Sequence, residues 1–147
     1  MSYMKRSSRL SSALHVLIHF AQHPDQRFTS ESIAVWWRTN PVVVRRTLGG
    51  LRNLGLVSSV TGHGGGWTLA RPADSISLAE IYTALDERLM VVEPESPGCL
   101  VESAVTSLLV TTWQRIEDQL MQDLAAISLA DLAAGIGSNL ISHAVSD

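Results

Sequence analysis

Apolar residues repeat at helical spacing through the first third of the chain. Within residues 7–23 they recur every three or four positions, which predicts a first helix that ends before Pro24. A shorter apolar pattern over residues 29–37 predicts a second helix, and the stretch 39–57 follows it after a tight connection. Two short helices joined in this way are typical of a helix-turn-helix unit.

The stretch 39–57 predicts a capped, cationic helix that runs into a strand. Thr39 or Asn40 can cap it, and Pro41 suits the first helical position. At about 100° per residue, one face is apolar and predicts the side that packs on the core: Val44, Leu48 and Leu51. The opposite face is exposed and cationic: Val42, Arg46, Gly49 and Asn53, flanked by Arg45 and Arg52. A solvated surface helix is the alternative, and the arginines favour nucleic acid.

A hairpin is predicted next. Residues 56–60 and 67–70 are rich in β-forming side chains, and the segment 61–66 between them holds four glycines. No Lys-Ser/Thr pair or helix follows these glycines, so the segment lacks the nucleotide-binding motif. A flexible wing that meets a phosphate backbone or a minor groove explains it better.

The remaining pattern predicts helices separated by a linker. Ser77 and Glu80 form a capping box at the start of a short helix. Two prolines and a glycine mark residues 91–98 as a linker, after which residues 101–125 predict one long helix and residues 129–134 a short one. A long apolar helix that projects from a small domain needs a partner, and a two-fold dimer is the simplest choice.

Charge is segregated along the chain. Residues 1–71 hold nine of the eleven Lys and Arg and two of the fourteen acids, a net charge of +7, whereas residues 72–147 carry −10. This asymmetry predicts an anionic partner for the first half and a different task for the second. No stretch is apolar enough to span a membrane and the N-terminus lacks a secretory leader, so a cytoplasmic protein is expected.

Chemistry-bearing residues are few. His15, His19 and His23 recur every four residues, a spacing that can serve metal ligation, but apolar residues lie between them and no acid is near to orient the rings, so no metal site is predicted. Cys99 is the single cysteine and cannot form an internal disulfide. No nucleophile-base or paired-carboxylate arrangement stands out, so an enzyme is not expected.

These pieces together resemble the Rrf-type (BadM/IscR/NsrR-like) winged helix-turn-helix transcription regulators. The resemblance covers about residues 7–88 in order. The matching segments are Ala13-Leu14-His15, residues 29–34, residues 39–57 beginning Thr-Asn-Pro-Val-Val-Val-Arg-Arg, the wing from Gly62 to Trp67, and Ile76-Ser77-Leu78. The implied fold is mainly α with a small β-hairpin wing: a winged helix-turn-helix domain at residues 1–90, a linker at 91–100, and a dimerisation helix with its tail at 101–147.

The resemblance implies a homodimeric regulator, expected to be a repressor, that binds palindromic double-stranded DNA. The helix at 41–54 would enter the major groove, the wing would meet the adjacent minor groove, and the helix 101–125 would pair the subunits. The implied contacts are Thr39, Asn40, Val42, Val43, Arg45, Arg46, Arg52, Thr61, His63 and Gly64. Arg45 or Arg46 is the expected reader of a guanine edge, and Arg52 is expected to meet phosphate.

The number of cysteines distinguishes this chain from part of the family, because Cys99 is the single one. The cluster-binding members use three cysteines in the linker and this chain has one, so no iron-sulfur cluster or other cofactor is expected. Its thiol lies at the start of the long helix, where the helix dipole favours the thiolate. The hypothesis is a redox sensor, in which oxidation of Cys99 or an intersubunit disulfide shifts the wing domains and changes DNA affinity. A buried inert thiol and an organic ligand between the wing domain and the long helix are alternatives. A protein-interaction module that binds an acidic partner is the alternative function.

Overall fold

The computed structural model describes residues 8–86 and 98–135. Within these ranges the chain forms helices and one antiparallel hairpin, which confirms the predicted fold class. The elements are α1 (Ser8–Gln22), α2 (Ser30–Trp37), α3 (Pro41–Asn53), β1 (Val57–Val60), β2 (Gly66–Leu69), a 3-10 turn (Ala73–Ser75), α4 (Leu78–Ala84), α5 (Leu100–Ala125) and α6 (residues 129–135). The predicted linker at 91–98 lies almost entirely outside the described residues.

Side-chain caps define where the short helices begin. The Thr29 hydroxyl accepts a hydrogen bond from the Ser32 N–H at 3.1 Å at the start of α2. Asn40, and not Thr39, caps α3, because its Oδ1 accepts the Val43 N–H at 3.1 Å. Between the two helices, Arg38 adopts a left-handed conformation with φ of 53°, which closes the turn.

The core lies between α1, α2, α3, α4 and the hairpin. Val44, Leu48 and Leu51 on α3 are fully buried, which confirms the predicted apolar face. They join Phe20 of α1 and Ile33 of α2 in one cluster. Because the apolar face of α3 is buried there, its opposite face is turned to solvent.

The hairpin is joined to the helices by Trp67. In its ladder Val57 pairs with Leu69 and Ser59 pairs with Trp67. Phe28 extends this ladder, since its backbone exchanges hydrogen bonds of 3.1 and 2.8 Å with Trp67. The Trp67 ring is buried, and its Nε1–H donates to the Ser30 hydroxyl of α2 at 3.0 Å. The wing is therefore fixed to the helical body.

Two glycines are required by the shape of the hairpin. A Cβ at Gly65 would lie 2.2 Å from the carbonyl oxygen of Val60. Gly66 has φ of 145°, and a Cβ there would lie 2.8 Å from the carbonyl oxygen of Phe28. The glycine-rich composition of the wing thus reflects close backbone approaches that exclude side chains.

The chain beyond α5 returns to the winged-helix core. Leu78 donates to the carbonyl of Ile127 at 2.9 Å, and Leu129 donates to the carbonyl of Ile76 at 2.8 Å. Leu129 is fully buried in the same cluster as the wing and helices. Ser128 caps α6 through the Asp131 N–H at 3.0 Å. One end of α5 is therefore tied to the body through this segment.

Within the residues that the structure describes, no helix combines the length and the apolar character needed to cross a membrane.

Candidate nucleic-acid interface

The outer face of α3 is largely exposed, and Gly49 in its middle is half-buried. Val42 and Val43 expose 57% and 38% of their surface at the first turn, so two apolar side chains face solvent beside the helix N-terminus. Arg45, Arg46 and Arg52 are exposed on the same helix, which carries no acid in its first turn. Backbone N–H groups at a helix N-terminus attract anions, so this end of α3 suits a phosphate backbone.

The two candidate guanine readers differ in their surroundings. Arg45 lies 3.7 Å from the Glu31 carboxylate of α2, and both side chains are largely exposed. Such a pair contributes little to stability and exchanges readily for a stronger anion. Arg46 has no ion pair among the described residues and extends from the face opposite the core. Arg46 can therefore contact a base without first leaving a carboxylate, whereas Arg45 cannot.

Arg52 is expected to meet phosphate, but its guanidinium also contacts the hairpin. Its guanidinium donates to the Ser59 hydroxyl of β1 at 2.8 Å and lies 5.5 Å from the centroid of the Trp67 ring. It thereby connects α3 to both strands of the hairpin. The sequence could not show this contact, because helical spacing alone places Arg52 on the exposed flank of α3.

The wing tip presents its expected residues to solvent. Thr61, His63 and Gly64 are all exposed. Arg27 in the loop between α1 and α2 lies beside them, with its guanidinium 3.4 Å from the Gly64 carbonyl oxygen. Sequence reasoning missed Arg27, because its proximity to the wing depends on the bridge between Phe28 and Trp67. The only available signal was an isolated cation in a turn.

The two remaining predicted contacts are constrained by the turn. Thr39 is half-buried and its N–H donates to Ala34 at 3.0 Å. Asn40 is exposed, but its Oδ1 accepts the capping hydrogen bond, so its amide nitrogen is the group that can donate to a phosphate. All the predicted helix contacts thus lie on α3 or on the turn that leads into it.

Gly49 lies in the middle of the cationic face. Among the described residues, a Cβ at this position would meet nothing within 4 Å apart from its chain neighbours and the backbone of its own helix. By contrast, a Cβ at Gly50 would lie 3.3 Å from the Ala84 carbonyl oxygen of α4. The close contact with Ala84 explains why a glycine suits position 50. No comparable contact among the described residues explains the glycine at position 49.

Cys99 lies apart from this face, at the N-cap of α5. Its side chain makes no capping hydrogen bond of ordinary length, and the thiol is exposed. The backbone N–H groups of Glu102 and then Val101 lower the pKa of the thiol below its ordinary value, because they favour the thiolate. The expectation of a buried thiol is wrong, because Cys99 is exposed; its reactivity stays a prediction.

The chain is similar to known transcription regulators over most of its length. Residues 6–135 match the Rrf2 family, described as iron-dependent transcriptional regulators. YwnA of Bacillus subtilis strain 168, which is named as an HTH-type transcriptional regulator, is 35% identical over 129 residues, covering 86% of this chain and 95% of YwnA. These similarities support DNA binding and do not support the protein-interaction alternative.

Two solved structures extend the comparison. The oxidised form of Staphylococcus aureus CymR is 28% identical, with a TM-score of 0.65, and the match covers 88% of this chain and 96% of CymR. IscR of T. potens shares the fold with a TM-score of 0.64 at 24% identity, covering 90% of this chain and 88% of IscR.

Replacement of Gly49 by alanine separates stability from DNA binding. Gly49→Ala should raise the free energy of unfolding by about 0.5–1 kcal/mol, because alanine favours the helix and meets no clash. It should nevertheless weaken binding to the cognate DNA about tenfold, the order of one lost base contact, because the added methyl group would hold the groove away from this face. Thermal unfolding and fluorescence anisotropy measure the two effects.

The matched control is Gly50→Ala, whose new methyl group faces Ala84. It should change the free energy of unfolding, because the methyl group lies close to the Ala84 carbonyl oxygen. Its DNA affinity should stay within about twofold of wild type, which corresponds to less than about 0.5 kcal/mol. Equal DNA affinity for wild type and Gly49→Ala would contradict close approach of DNA at this position.

Proposed function

The chain belongs to the Rrf2 family of transcriptional regulators, and from this we propose that it represses transcription by binding a palindromic operator as a homodimer. The observation that carries the proposal is the exposed cationic face of α3 beside a wing that is fixed to the same body. A helix in the major groove and a hairpin at the adjacent minor groove would contact one half-site together. A dimer seated in this way would cover DNA that a polymerase needs.

The residues divide into readers and positioning contacts. Arg46 is the proposed guanine reader, with Arg45 available once it leaves Glu31, and Val42 and Val43 suit apolar contact with thymine methyl groups. The other proposed contacts face the backbone or the minor groove: Thr39, Asn40, Thr61, His63 and Gly64, with Arg27 added by the structure. Arg52 is proposed to hold the wing at the correct angle to α3 as well as to attract phosphate.

The proposed dimer interface is the apolar face of α5. This helix has 26 residues, so it is about 39 Å long, and no residue on it is buried within the chain. Val101, Val105 and Leu108 expose 70%, 51% and 68% of their surface on one side. Large side chains exposed in a continuous row indicate an association surface, and pairing of two copies buries both rows.

An iron-sulfur cluster does not fit this chain, although the family is described as iron-dependent. Clusters of the [2Fe–2S] and [4Fe–4S] types are held mainly by four cysteine thiolates. One cysteine per chain supplies at most two to a dimer. We therefore propose regulation without a cluster, and we assign no catalytic activity.

The proposed signal is oxidation of Cys99. S. aureus CymR, at 28% identity, has been solved in an oxidised form. In this chain the thiol is exposed and its pKa is lowered by backbone N–H groups, so more thiolate is present at neutral pH than for an ordinary cysteine. Attack of the thiolate on a peroxide would give a sulfenic acid, while the peroxide is reduced to water. The new group at the start of α5 would alter how the subunits present their DNA-binding faces.

Salt titration of DNA binding tests the role assigned to Arg46. Arg46→Ala should cost about 1–3 kcal/mol on the operator and relax the preference for one base pair, because a base contact is lost. The slope of log affinity against log salt should change by less than about one unit, since a phosphate contact would change it by roughly that amount. Operator fragments isolated from the genomic DNA of the source cell provide the substrate.

Arg115→Ala is the matched control, because it removes one exposed arginine from α5. It should leave operator preference unchanged. Equal loss of affinity on operator and unrelated DNA for Arg46→Ala would contradict base reading by this residue.

Disruption of the α5 face should give a monomer. Val105→Asp places a carboxylate in the centre of the apolar row, where it would be buried and unpaired in a dimer. Sedimentation velocity should show the mass of one 16.0 kDa chain for this variant and twice that mass for wild type. Gln114→Asp on the opposite side of α5 should remain dimeric. A dimeric Val105→Asp protein would place the interface elsewhere.

Peroxide titration tests the proposed signal. Wild-type protein should release its operator after peroxide treatment, and the rate of oxidation should fall as the pH drops below the lowered pKa of Cys99, because the thiolate is lost. Cys99→Ser should bind DNA normally and ignore peroxide. If Cys99→Ser is released as readily as wild type, Cys99 is not the sensor, and a ligand between the wing domain and α5 becomes the better hypothesis.

A further inference from the structure

Two histidines face one another on α1, outside the DNA-binding surface. The Nε2 atoms of His15 and His19 are 3.0 Å apart, and their rings stack with centroids separated by 4.9 Å. The His19 ring also packs against Trp36 of α2 at 5.0 Å. We infer that His15 and His19 form a bidentate binding site for a divalent late first-row transition metal such as Ni²⁺, Cu²⁺ or Zn²⁺.

The distance between the two nitrogens suits chelation. Metal-nitrogen bonds of about 2.0–2.1 Å place two nitrogens 3.0 Å apart when the angle at the metal is about 95°. This angle is close to the right angle between neighbouring ligands of square-planar or tetragonal Cu²⁺ and Ni²⁺. Imidazole nitrogen is also a preferred ligand for these ions, so both the geometry and the donor type agree with this class of metal.

The electrostatics favour the state that a metal needs. A histidine binds a metal through a neutral imidazole, and two imidazolium ions at this separation would repel one another. Partial burial, followed by the proximity of His15 and His23, lowers the pKa of His19. A metal cation can replace the proton shared between the two Nε2 atoms, which lie 3.0 Å apart.

The site consists of two protein ligands. The His23 ring is turned toward Phe28, with an edge-to-face contact at 6.3 Å between centroids. Among the described residues, no group of three His, Cys, Asp or Glu side chains could hold a metal ion. Water would complete the coordination, so the metal should exchange readily with solvent, in contrast to a closed structural site.

The position of the pair connects the metal to the helix-turn-helix unit. His19 lies between His15 and Trp36, so ligation would fix its ring against α2. Residues of α2 lead through the Arg38 turn into α3. The bound metal would also lie near the Trp36 indole, which gives a spectroscopic signal for occupancy.

Metal titration of the full-length, tag-free protein tests the site. Isothermal titration with Ni²⁺, after removal of metal by a chelator, should show one equivalent per chain for wild type. His15→Ala and His19→Ala should each weaken binding at least about tenfold, because loss of even an outer-shell partner typically costs 10–100-fold. Cu²⁺ bound to wild type should show coordinated imidazole nitrogens in its electron paramagnetic resonance spectrum and should quench Trp36 fluorescence.

Two controls keep the test specific. His23→Ala, one turn further along the chain, should retain wild-type Ni²⁺ affinity, since its ring faces Phe28. Trp36→Phe should bind Cu²⁺ and lose much of the quenching. Unchanged Ni²⁺ binding in both His15→Ala and His19→Ala would overturn the proposal, and so would an equal loss in His23→Ala. Neither result depends on DNA binding.

Discussion

The buried Trp67 ring is the contact on which the DNA-binding surface depends. Its backbone bridges Phe28, its indole N–H reaches Ser30 of α2, and the Arg52 guanidinium of α3 lies over its face. One side chain thus joins the wing to both helices of the helix-turn-helix unit. An isolated two-stranded hairpin is marginally stable in water, so the orientation of the wing has to be supplied by such contacts. Because these contacts fix the orientation of the wing, α3 and the wing tip can meet neighbouring grooves as one rigid body.

The segregation of charge along the sequence corresponds to a division of structural roles. The cationic first half forms the surface proposed to meet DNA, and the acidic second half contributes α5, whose apolar side is exposed. The two parts are not independent, because Leu129 returns from the far end of α5 into the winged-helix core. The far end of α5 is therefore packed against the winged-helix body, and the proposed signal at Cys99 acts at the opposite end of the same helix.

Local sequence signals predicted the elements and their faces. The period of apolar residues identified the buried side of α3, and the Ser77–Glu80 capping box marked the start of α4. Contacts between distant segments could not be predicted in this way. Arg52 at Ser59 and Arg27 at Gly64 depend on how the hairpin folds back over the helices. The histidine pair was visible as spacing, but the 3.0 Å separation and the stack on Trp36 appear only in three dimensions.

Site-directed DNA cleavage from the wing tip tests the central claim most directly. A Cys99→Ser protein with a His63→Cys substitution, labelled with an iron chelate that cleaves DNA, should cut the operator in the minor groove on the outer flank of each half-site. The two cleavage sites should be related by the operator symmetry, because the wing and α3 would contact adjacent grooves of each half-site. Cleavage spread evenly along the operator, or confined to the major groove, would contradict the joint docking of α3 and the wing.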